Sequence, residues 1–123
     1  MLKTLLLVAL GGGIGSVFRY FTTLVTVKFF SGSFPLATFI TNMAGCFLIG
    51  ILAGYFEKNS GLSPDLKFLL ITGFCGGYTT FSAFGLENIR LMHEQQFFLA
   101  LLYTALSVVL GLLCVGLGLL CTK

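Results

Sequence analysis

The chain has 123 residues, of which 57% are hydrophobic and 9% charged, with a formal net charge of +3. With a mean hydropathy of +1.04 it cannot present enough polar surface to stay in water, which excludes a soluble globular domain and makes it a membrane protein. Its seven Lys and Arg residues are scattered at segment ends, which excludes nucleic acid as a partner.

The first apolar segment runs from about Leu2 to Phe29, long enough to cross a hydrocarbon core of about 30 Å if tilted. Its start resembles a leader peptide. Apolar character, however, continues past Gly15 to Phe30 with only Arg19 and Lys28 interrupting, which favours a retained span over a cleaved signal. Gly11 and Gly15, and Gly12 and Ser16, are four apart and predict close approach of another helix. Arg19 has two readings: a side chain reaching the interface, or a structural or anion-attracting charge inside the membrane.

A turn over residues 31–35 ends in Pro35, which suits the opening of a helix. The second segment carries no charge from Phe29 to Phe56, and Cys46, Gly50 and Gly54 repeat every four residues as a tight helix-packing face. Asn42 lies on the same face. From the residue alone, an interhelical hydrogen bond accounts for it. Residues 57–61 form a hydrophilic loop, and Ser63-Pro64 reads as an N-cap followed by the first residue of the third helix.

The third segment, Phe68 to Leu86, is free of charge, yet it holds Gly76, Gly77, Thr79, Thr80 and Ser82. Paired glycines and hydroxyls that compete for backbone hydrogen bonds predict a break in the helix at Gly76-Gly77. A break in hydrocarbon persists only where it lines a site, because each unpaired backbone group costs several kcal/mol. Glu87 and Arg90, three apart, are placed to pair as the segment leaves the membrane. Residues 93–96 turn the chain into the last segment, and His93 receives no role.

From Phe97 to Thr122 there is again no charge, and Tyr103, Ser107, Gly111, Cys114 and Gly118 share one face. That face reads either as a packing stripe or as a hydroxyl track. The four cysteines, Cys46, Cys75, Cys114 and Cys121, lie in apolar surroundings without Cys-x-x-Cys spacing and read as small buried thiols rather than a zinc or redox centre. No His, carboxylate or Cys constellation has catalytic spacing, so no enzyme activity is expected.

Three stretches on three successive segments carry a resemblance. Residues 73–84 (Gly-Phe-Cys-Gly-Gly-Tyr-Thr-Thr-Phe-Ser-Ala-Phe), with Gly-Gly-Gly-Ile-Gly-Ser-Val-Phe-Arg-Tyr at 11–20 and Thr-Asn-Met-Ala-Gly-Cys-Phe at 41–47, resemble the CrcB/Fluc family of bacterial fluoride channels. The resemblance covers nearly the whole chain. It implies an all-α membrane protein, one domain over residues 1–123, whose four spans include a third broken in mid-membrane, assembled as an antiparallel, dual-topology homodimer in the bacterial inner membrane. It implies passive export of fluoride through two narrow pores per dimer. Asn42, Thr80, Ser82, Phe81, Phe84, Tyr103 and Ser107 would line them, the Phe rings offering positively polarised edges to the anion. The backbone oxygens of Gly76 and Thr79 would hold a structural Na+ on the dimer axis. Many relatives have Ser where this chain has Gly111, which would shorten the track.

Four spans place both termini on one side, with Lys3, Lys58, Lys67 and Lys123 there against Arg19, Lys28 and Arg90 on the other. Such a balance fits insertion in both orientations. The alternative from another class is a small dual-topology multidrug or cation transporter. It requires a carboxylate deep in the membrane, and Glu87 is expected too near a segment end to serve. A non-conducting scaffold would explain the glycine faces but not Asn42 or the Thr-Thr-Phe-Ser cluster.

Overall fold

The computed structural model describes all 123 residues and is entirely helical. Four stretches are long and apolar enough to cross a membrane: Leu2–Phe29, Leu36–Lys58, Pro64–His93 and Phe97–Leu120. The first two are α1 and α2, and the last is α6. The third is composite: α3 (Pro64–Lys67), a π-helical segment (Phe68–Cys75), the turn α4 (Gly76–Tyr78) and α5 (Phe81–His93). Ser63 caps it as predicted, its hydroxyl accepting from the Asp65 amide at 3.2 Å with Pro64 in the first turn. Lys3 at the start of α1 forms an ion pair with Asp65.

Small residues decide which helices touch. α1 lies against the π segment, and a Cβ at Gly11 or Gly15 would strike the carbonyl of Leu69 or Phe74. α2 lies against α6, where a Cβ at Gly50 would strike the Val115 carbonyl and one at Gly54 the Thr122 hydroxyl. The glycine faces read from the sequence are these contacts. The buried interior is small: Leu91, Ala100 and Tyr103, with Phe34, Phe39, Phe84 and Leu99 packed around them. Large apolar side chains such as Leu6, Val17, Phe21 and Leu112 instead point outward, as suits a chain whose solvent is lipid.

The break in the third span is displaced from its predicted position. Gly76 is right-handed helical (φ −63°, ψ −37°), α4 includes both glycines, and no glycine has a positive φ. The chain leaves the helix three residues later, at Thr79 (φ −80°, ψ 159°) and Thr80 (φ −151°, ψ 124°). Extended dihedrals suit β-branched threonine, whereas Gly77 is needed for contact: a Cβ there would strike the backbone of Gly12.

Candidate functional site

Thr80 has left the helix, and its two backbone groups need partners within the membrane. Asn42 supplies both. Its Oδ1 accepts from the Thr80 amide at 2.8 Å, and its Nδ2 donates to the Thr80 carbonyl at 3.1 Å. The α-helical acceptor of that amide would have been the Gly76 carbonyl. The Thr80 hydroxyl then caps α5 by accepting from the Ala83 amide at 3.2 Å, and it lies 3.2 Å from the Ser82 hydroxyl. Thr79 folds its own hydroxyl back to the Cys75 carbonyl at 2.8 Å.

Two hollows meet at this break. One, of about 530 Å³, is a largely apolar groove whose walls include Asn42, Cys46, Gly76, Thr79, Phe81, Phe84 and Ser107. The other, of about 660 Å³, is more polar and is lined by Ser16, Arg19, Thr23, Thr38, Thr41, Ser82 and Glu87 among others. Thr80 lines both and is the partition between them.

The predicted site residues distribute unevenly over these hollows. Phe81 is 83% exposed, its ring centroid 5.6 Å from that of Phe84. Phe84 in turn lies 5.1 Å from the ring of Tyr103. Tyr103 has no exposed surface and lines neither hollow; its hydroxyl donates to Glu87 Oε2 at 2.8 Å. The Ser107 hydroxyl oxygen is buried beside the groove without a hydrogen-bond partner. The face shared by Tyr103, Ser107 and Gly118 therefore divides, with Gly118 packed against the backbone of α2 and Ser107 on the groove.

Arg19 turns inward. Its Nη1 donates to the Thr79 carbonyl at 3.4 Å, so its charge lies at the break and in the polar hollow. Two expectations for Glu87 fail. It does not pair with Arg90, because both its oxygens accept hydroxyl bonds, from Thr38 at 2.5 Å and from Tyr103. Nor is it at a segment end, since α5 continues to His93 and Glu87 is half-buried in the polar hollow.

The profile of the family described as CrcB-like protein, Camphor Resistance (CrcB), matches residues 6–119. This chain belongs to the CrcB family. It is 57% identical over 122 residues to a Flavobacterium psychrophilum protein called fluoride-specific ion channel FluC, covering 99% of this chain and 98% of the relative. A protein of the same name from Azobacteroides pseudotrichonymphae is 45% identical over 100% of this chain and 98% of its own length. Another, from Methylobacillus flagellatus, is 46% identical over 92% and 89%.

Within this family member, sequence reasoning missed Thr38, Thr41 and Glu87 as walls of the polar hollow. A signal was present: Thr38 lies four residues before Asn42, one helical turn away, and Thr41, three residues after Thr38, shares the face of Thr38. Glu87 follows Thr80 by two turns on the far side of the break. Its spacing to Arg90 suggested a surface pair instead.

Proposed function

We propose that the chain is a fluoride-specific ion channel, not an enzyme, through which F− leaves the cytoplasm down its electrochemical gradient. The observation that carries the reading is the partition at Thr80. Polar and aromatic groups converge there from both hollows, at the point where the third span gives up its helix. An anion leaving water needs donors, and fluoride, small and tightly hydrated, needs them most. The unpartnered Ser107 hydroxyl and the remaining N–H of Asn42 are free to donate, and the Arg19 charge stands behind the break. The full-length likeness to proteins named fluoride-specific ion channels supplies the identity of the ion.

The functional unit is an antiparallel homodimer in the bacterial inner membrane, with two pores formed by Asn42, Thr80, Ser82, Phe81, Phe84 and Ser107. An open groove, with Phe81 projecting into it, suits a wall completed by a second chain. Tyr103 acts from behind, by holding Glu87. Gly76 and Thr79 both border the groove; the Thr80 amide is diverted from the Gly76 carbonyl, and the Thr79 carbonyl, which accepts one long bond from Arg19, keeps a second lone pair, so both neutral oxygens are offered to Na+. Two from each of two chains would surround one ion. Sodium supplies positive charge where the dimer halves meet and is not itself transported.

The test is ion efflux from liposomes containing the purified protein. Fluoride should leave rapidly and chloride should not; equal rates for the two, or no flux above protein-free liposomes, overturn the proposal.

A further inference from the structure

Beyond the first turn of α1, threonine hydroxyls find partners in their own chain. Thr22, Thr23, Thr26, Thr41 and Thr79 each donate to the backbone carbonyl four residues earlier. Thr38, Thr80, Thr104 and Thr122 bond to other groups. Thr72 makes no hydrogen bond; it lies in the π-helical segment, exposed on the wall of the groove. A hydroxyl left without a partner in hydrocarbon is costly.

Helix register places Thr72 along that wall. Asn42 bonds to Thr80, and a Cβ at Gly45 would meet Tyr78 and Thr79, so α2 and the third span run antiparallel. Farther along α2, Cys46 therefore stands level with Gly76, and Ile49 with Thr72, all four on the groove. α6 runs parallel to α2, since Gly50 abuts Val115 and Gly54 meets Thr122. The Cβ that Gly111 lacks would lie 3.5 Å from Met43 Cε and 3.7 Å from Cys46 Sγ, which sets Gly111 between the two ends. Donors thus occur at two levels. Asn42 and Ser107 lie beside the break, and Thr72, eight residues before Thr80, lies about 10–12 Å along the span from it. Between them, Met43, Cys46, Gly76 and Gly111 offer no hydroxyl or amide side chain.

We propose that the Thr72 hydroxyl donates to the permeating anion at the far end of the groove and sets both rate and specificity there, a role that rests on reading the groove as a fluoride path. α6 has no donor for that end. After Ser107 it carries no hydroxyl until Thr122, which is bonded to the Leu119 carbonyl. The third span supplies one instead. An unbonded hydroxyl turns to an ion without first giving up a bond to its own helix, as Thr79 would have to do. Fluoride holds its water more tightly than larger halides, so a missing donor costs it more than it costs chloride.

The test is fluoride and chloride efflux from liposomes holding the full-length protein, parent or with Thr72→Val, Thr72→Ala or Thr72→Ser. Valine keeps the shape and loses the hydroxyl. Thr72→Val and Thr72→Ala should each lower fluoride efflux at least about tenfold, as expected for one lost hydrogen bond to a charged group. Thr72→Ser keeps the donor and should stay within about twofold of the parent. Because Thr72 bonds to nothing in its own chain, the melting temperature in detergent should fall by no more than about 2 °C in any of the three. A threonine that merely faces lipid would leave Thr72→Val with parent-like flux. That result, an equal loss in Thr72→Ser, or a loss of flux matched by a fall in melting temperature overturns the proposal. A parent that passes no fluoride removes the fluoride reading and this role with it, whereas a conducting parent with conducting Thr72→Val and Thr72→Ala removes the role of Thr72 alone.

Discussion

At Asn42 the two ends of one side-chain amide meet both freed backbone groups of Thr80. Replacing it by Ala strands a donor and an acceptor in a low-dielectric interior, at a cost of about 2–4 kcal/mol. Thermal unfolding in detergent should show that loss. Asn42→Asp still accepts from the Thr80 amide but turns a carboxylate oxygen toward the Thr80 carbonyl and toward any anion in the groove. We expect fluoride efflux to fall more than tenfold while the protein still folds and inserts; parent-like efflux would reduce Asn42 to a packing residue. The two phenylalanines should separate by experiment. Phe81 is 83% exposed in the single chain, so Phe81→Ile should change stability by no more than about 0.5 kcal/mol. Phe84 packs against Tyr103, and Phe84→Ile should cost about 1–2 kcal/mol. Both should impair fluoride passage, and normal efflux from both would remove the ring-edge argument.

Glycines sort by what surrounds them. Gly15→Ala, Gly50→Ala and Gly77→Ala each drive a Cβ into backbone that cannot yield, and should destabilise by about 2 kcal/mol or more, read as a fall in melting temperature. Gly13 and Gly116 face open space within helices, so alanine there should be neutral or stabilise by up to about 1 kcal/mol. Gly76→Ala is the informative case. Nothing in its own chain lies within 4 Å of the new Cβ, so if the proposed homodimer packs a second chain there, Gly76→Ala should lower assembly and flux without lowering the stability of the single chain. Helix existence, the glycine faces and the Ser63 cap were legible because each rests on local spacing. The break was misplaced because glycine propensity is a local signal, whereas its position is set by Asn42, 38 residues away. The link from Glu87 to Thr38 and Tyr103 was hidden for the same reason: it joins three helices through side-chain tips that no periodicity reveals.

For the whole molecule the decisive variable is orientation. Lys3, Lys58, Lys67 and Lys123 face Lys28 and Arg90 on the other side, with Arg19 held at the break, so two added charges should set the direction of insertion. Ser60→Lys with Gly61→Lys loads the side of the termini; Ser31→Lys with Ser33→Lys loads the other. If the working unit is antiparallel, each double variant alone should lose fluoride efflux from cells, and co-expression of the two should restore it. Full activity of either variant alone would exclude the antiparallel dimer.

The π-helical stretch Phe68–Cys75 sets an angular phase. Each residue of an α-helix advances about 100° around its axis, and a π segment accommodates extra chain within the same span. What it fixes is the compass bearing of everything after it, including the side of the bundle on which Thr79 and Thr80 leave the helix. Deleting Leu70 should leave a hydrophobic span of adequate length that still inserts, yet swing those threonines away from Asn42. Changing chain length by one residue should therefore silence the protein where conservative substitutions at Leu70 do not.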